Sequence, residues 1–120
     1  MSPASASQFA DWAQRNHDFF DSLDDGRADW PDWSVTVLFY EAVHVVRSMF
    51  AAKGELPIKD HQDCKGRLRV IDATTAAKYE LLRSRSEESR YNHYEPTSAQ
   101  VVEAERLVQA IRDFCGVTRT

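Results

Sequence analysis

The stretch Pro31-Asp-Trp-Ser-Val-Thr-Val-Leu-Phe-Tyr-Glu-Ala-Val-His-Val-Val-Arg-Ser-Met-Phe-Ala-Ala52 decides the fold of this chain. Read locally, Ser34 to Tyr40 has the β-branched and aromatic content of a strand. Length argues the other way, because 22 residues without glycine or proline separate Pro31 from Gly54, far more than a lone strand uses. Proline suits the first turn of a helix and glycine the residue just past its end. A helix over this stretch is about 34 Å long. Apolar residues surround most of it, so it is expected to be the central and most buried element, with Glu41, Arg47 and Ser48 toward its less buried side.

Working outward, Phe9, Trp12, Ala13, Asn16, Phe19, Phe20 and Leu23 recur at steps of three and four and predict a helix over 8–23, with Ser7 as N-cap and Gly26 as stop. The 24–32 stretch, acidic and broken by Gly26 and Pro31, reads as a connection. Beyond Gly54 a proline-containing loop leads to Asp60, which can cap a third helix running to Asp72 with Cys64, Leu68 and Ile71 inward. Thr74 or Thr75 starts a fourth, carrying Tyr79, Leu82, Ser86 and Arg90 on one face and ending before Pro96. Thr97-Ser-Ala-Gln100 is a capping-box pattern for a last helix, whose stripe Val101, Ala104, Val108, Ile111, Cys115 ends at Gly116. The expected fold class is all-α, an up-and-down bundle of four to five helices without a sheet. One domain over 8–116 is expected, between flexible ends 1–7 and 117–120.

With 120 residues, 42% of them hydrophobic and 28% charged, the chain has the usage of a single globular domain rather than of a disordered segment. Thr36, Glu41 and His44 interrupt the longest apolar run and no secretory leader is visible, so no membrane association is expected. Two cysteines cannot build a disulfide framework, which suits a reduced, cytoplasmic setting. Net charge is −4, which gives no general attraction to nucleic acid. Residues 65–90 nevertheless hold seven bases against four acids, leaving room for a local basic surface or for internally paired helix faces. Thirteen aromatic residues, with Trp12, Trp30 and Trp33 among them, exceed what one small core readily hides and point to an interface.

No phosphate-binding glycine loop, dinucleotide fingerprint or Cys-x-x-Cys occurs, and the four histidines stand far apart, none with a second histidine one turn away. Neither a metal nor a cofactor is therefore expected. What remains is a set of polar groups on core-like helices. His44 sits on the central helix, where a satisfied core histidine competes with a proton-transfer group. His61 falls in the first turn of the third helix, whose partial positive charge disfavours imidazolium. Arg90, Tyr91 and His93 crowd the end of the fourth helix, where the i, i+3 spacing of Arg90 and His93 lets them share a face. A phosphate-binding cation beside a proton-transferring imidazole is minimal equipment for RNA cleavage. A helix-end arginine paired with Glu87 or a backbone carbonyl is the structural alternative.

The series Trp33-x5-Phe39-Tyr40-x3-His44, Pro57-x3-His61-x5-Arg67 and Tyr79-x2-Leu82-x3-Ser86-x3-Arg90-Tyr91, followed by a capped last helix, resembles the HEPN (higher eukaryotes and prokaryotes nucleotide-binding) superfamily from Trp33 to Phe114. The resemblance implies homodimerisation and roles in RNA cleavage, nucleotide binding, toxin–antitoxin pairs and antiviral defence. It also implies that His44, His61, Arg67, Arg90 and Tyr91 gather near one cleft, without assigning them roles; guanidinium chemistry makes Arg67 and Arg90, with Tyr91 beside them, the candidates to bind a phosphate or nucleotide. One departure is plain. Nuclease members carry Arg, four to six residues, then His, whereas seven residues separate Arg85 from His93 and two separate Arg90 from it. Two readings follow: an RNA- or nucleotide-interacting module, at its furthest a metal-independent ribonuclease using a displaced Arg90/His93 pair with His44 and His61 near, or a catalytically inactive dimerisation or adaptor module that binds a protein partner.

Overall fold

The computed structural model describes residues 4–23 and 29–120. Five helices and no strand occur among them: α1 Ala6–Ser22, α2 Pro31–Ala52, α3 His61–Ile71, α4 Ala73–Tyr91 and α5 Ser98–Cys115. The expected stop at Gly26 and most of the 24–32 connection lie outside the described residues. α2 is helical throughout, with Pro31 in its first turn, so length outweighs the strand-like content of Ser34–Tyr40. It contacts α1, α4 and α5, and Val35, Leu38, Phe39, Ala42, Val45, Val46 and Phe50 are fully buried among them.

On length and composition α2 also qualifies as a bilayer-crossing helix, despite its polar interruptions, and 67% of its apolar window is buried inside the bundle. The expected polar side is corrected. Glu41 is fully buried and Ser48 nearly so, its hydroxyl donating to the Ala6 carbonyl at 2.7 Å, while Arg47 is half-buried. The helix is wrapped on more of its circumference than a polar face would allow.

α1 begins two residues before the expected start, because Ser5 rather than Ser7 makes a capping box with Gln8. The Asp60 cap of α3 and the Thr97–Gln100 box of α5 are as the sequence indicates, and Gly116 ends α5 in the left-handed conformation at φ 70°. α3 and α4 meet at Asp72, whose extended backbone is at once the end of one helix and the start of the next. That joint turns Ile71 outward to 40% exposure, against the expected inward position, while Cys64 and Leu68 are buried. Residues 117–120 fold back on the domain: Arg112 Nη1 donates to the Val117 carbonyl at 2.9 Å and the Thr120 amide donates to Gln14 Oε1 at 3.0 Å.

Candidate functional site

α4 presents Tyr79, Arg83, Ser86 and Arg90 at steps of four, three and four, and this stripe faces α2 and the start of α3. His61, the first residue of α3, shares a hydrogen bond with the Tyr79 hydroxyl across 2.9 Å. The buried Phe39 ring lies 5.2 Å from the His61 ring, 5.8 Å from Tyr79 and 5.5 Å from Tyr40. Arg90 Nη1 donates to the Tyr40 hydroxyl at 3.1 Å, and its guanidinium lies 5.7 Å over the Tyr40 ring and 5.1 Å over that of Tyr91. An aromatic spine thus runs from His61 to Arg90, with Phe39 at its centre. Beside it opens a cleft lined by Asp32, Trp33, Thr36, Ser89 and Arg90.

Burial, and after it the guanidinium charges of Arg47, Arg83 and Arg90, hold the His61 imidazole below its ordinary value of 6.5. The expected neutral base is present, but these causes rather than the helix N-terminus dominate. The Tyr79 phenol is pushed up by burial and stays protonated. Burial raises the Cys64 thiol and pushes Cys115 up to about 12, so neither is an activated nucleophile.

The other expected site residues are dispersed. His44 lies on the α1 side of α2, its ring 6.2 Å from Phe9 and 6.1 Å from Trp12, with Nδ1 buried and unpartnered among the described residues. Burial, then Arg47, lowers its affinity for a proton. Arg67 is a clamp rather than an open phosphate ligand: Nε reaches Asp63 at 3.0 Å, Nη1 the Glu55 carbonyl at 2.7 Å and Nη2 the Pro57 carbonyl at 3.3 Å. His93 does not share a helix face with Arg90, because α4 ends at Tyr91 and His93 turns out at φ 55°. Tyr91 is 69% exposed beside the cleft.

The basic 65–90 segment is largely neutralised by Lys65–Glu80, Arg67–Asp63, Arg83–Glu80, Arg83–Glu87 and Arg85–Glu103 pairs. Arg83 takes the Glu87 that was the alternative partner of Arg90. Arg90 forms no ion pair among the described residues and spends Nε on the Ser86 carbonyl at 3.4 Å.

One polar cluster was absent from the sequence reading. Glu41 accepts from Arg112 Nε at 2.6 Å and from Arg119 Nη2 at 3.4 Å, and lies 3.1 Å from His17 Nδ1, whose Nε2 is 3.1 Å from Asp21. The signal was there: Glu41 and Arg112 both occupy positions on apolar stripes, between Leu38 and Val45 and after Val108. The cluster ties α1, α2, α5 and the C-terminal residues together.

The imidazoles give a test of the field around the site. Well above pH 6.5 His44 and His61 are neutral in both folded and unfolded chains and do not affect stability. Below it the unfolded chain takes up protons first, so both groups cost stability as pH falls toward their folded midpoints. In NMR titrations both midpoints are expected below 6.5 and to rise in Arg47→Gln, since Arg47 opposes both imidazolium charges. Midpoints unmoved by the substitution would contradict this assignment.

Comparisons with protein-family models, curated proteins and solved structures each find no match to this chain.

Proposed function

We propose that this chain is a HEPN-like helical module that binds single-stranded RNA or a nucleotide at the Arg90 cleft, by phosphate contact and base stacking. The observation that carries the reading is Arg90 itself: an arginine without an ion pair among the described residues, held over Tyr40 and Tyr91 at a cleft edged by the 59% exposed Trp33. A guanidinium oriented by aromatic faces suits phosphate oxygens, and exposed rings stack on any base. The reading stops at binding. The displaced Arg90/His93 pair has no support in geometry, and a cleaving version of the same site would assign proton transfer to His61, the imidazole on which the Arg90 charge acts.

Fluorescence anisotropy on a labelled uridine oligonucleotide tests it. Arg90→Ala, with an unchanged circular dichroism melt, is expected to weaken binding about tenfold and to reduce the log–log salt slope by roughly 0.7. Tyr91→Ala is expected to weaken it with the slope intact, since it removes stacking and no charge. No binding by the wild type at low salt would hand the protein to its second reading. That reading, a homodimerisation or adaptor module, is favoured by the apolar groove of Phe19, Leu23, Trp30 and Trp33, three of them more than half exposed. Light scattering then gives about twice the 13.7 kDa chain mass, and Phe19→Glu returns it to the monomer value.

A further inference from the structure

A second cleft, sharing no lining residue with the Arg90 cleft, has different chemistry. It measures about 160 Å³ and is lined by Ala4, Phe9, Leu56, Pro57 and Ile58 with one charged group, Arg47. Arg47 makes no ion pair among the described residues, and its Nε is buried without a hydrogen-bond acceptor there. A buried guanidinium N–H without an acceptor is costly, and most buried polar groups are paired. The wall opposite is fixed: the Arg67 clamp holds the carbonyls of Glu55 and Pro57, and Phe9 is stacked with His44. The volume is well below that of pockets for drug-sized ligands and near the ~150 Å³ that holds a benzene ring.

We infer that the Arg47 cleft is a binding site for a small organic carboxylate, whose charged end pairs with the Arg47 guanidinium and whose apolar body lies against Phe9, Leu56 and Ile58. A carboxylate supplies the counter-charge that Arg47 lacks among the described residues, in the geometry guanidinium favours. Inorganic phosphate satisfies the charge and leaves the apolar wall uncovered. An alcohol of the same chain length covers the wall and leaves the charge unpaired. Only the combination uses both parts of the site, and it is independent of the Arg90 cleft.

The test is an NMR titration with sodium hexanoate, 1-hexanol and sodium phosphate as probes, which follows the Arg47 Nε–H resonance together with the backbone amides of Phe9 and Ile58, the latter serving where Arg47 is replaced. Hexanoate is expected to shift it saturably, with hexanol and phosphate each about tenfold weaker or more. Arg47→Gln is expected to remove hexanoate binding while the thermal melt persists. Leu56→Glu supplies a second variant, its thermal melt checked first because Leu56 is partly buried against the core: its own carboxylate competes for Arg47 and should abolish hexanoate binding. The inference is overturned if hexanoate gives no saturable shift, if hexanol or phosphate binds as well as hexanoate, or if a folded Arg47→Gln or Leu56→Glu chain retains wild-type affinity.

Discussion

Arg112→Met is expected to lower the unfolding free energy by about 3–5 kcal/mol, because it strands the Glu41 carboxylate in the core. Arg112 is 1% exposed and Glu41 fully buried, so the remaining charge cannot find water without opening the bundle. His17 and the more distant Arg119 still reach Glu41, which places the effect inside that range rather than above it. The substitution also removes the hydrogen bond to the Val117 carbonyl, so residues 117–120 should become sensitive to carboxypeptidase. The double variant Glu41→Leu, Arg112→Met is expected to recover most of the loss, since exchanging a whole buried pair for apolar groups is often neutral or stabilising. Urea unfolding of both decides. A single-variant loss below about 1 kcal/mol would mean that the pair contributes little beyond His17 and Arg119.

The same pair marks the limit of what spacing reveals. Periodicity shows which residues share a helix face, and on that basis α2, the α5 stripe and the Asp60 and Thr97 caps were legible from the chain alone. It does not show that two charged residues 71 positions apart meet in the core, so a polar residue on an apolar stripe reads as an exposed one. The joint at Asp72 similarly redirects Ile71, because a helix face extends only as far as the helix. His93 fails for that reason too: an i, i+3 spacing has its meaning only while both residues are helical, and α4 stops at Tyr91. Of the candidate site, the grouping of His61 with Arg90 could be anticipated. The occupation of Arg67 could not, since its acceptors are backbone carbonyls of a loop whose path no residue pattern specifies.

Phe39→Ala is the second large effect, expected to cost about 3–5 kcal/mol as removal of a core aromatic commonly does. Phe39 is fully buried and its ring is shared by His61, Tyr40 and Tyr79, so the cavity left behind is bounded by rings that are themselves hydrogen-bonded and slow to collapse into it. Stability and site are therefore linked through one side chain. Phe39→Leu separates them, because it keeps most of the apolar volume and loses the ring faces, at a cost expected below about 1.5 kcal/mol. In that folded variant the His61 environment loosens and water gains access. The imidazole midpoint, depressed chiefly by burial, should then move up toward 6.5 while that of His44, packed against Phe9 and Trp12 instead, stays put. Chemical unfolding reads the first effect and NMR titration the second. A loss below about 1 kcal/mol in Phe39→Ala would remove Phe39 from the core, and parallel movement of both midpoints would show a general softening of α2 rather than a spine centred on Phe39.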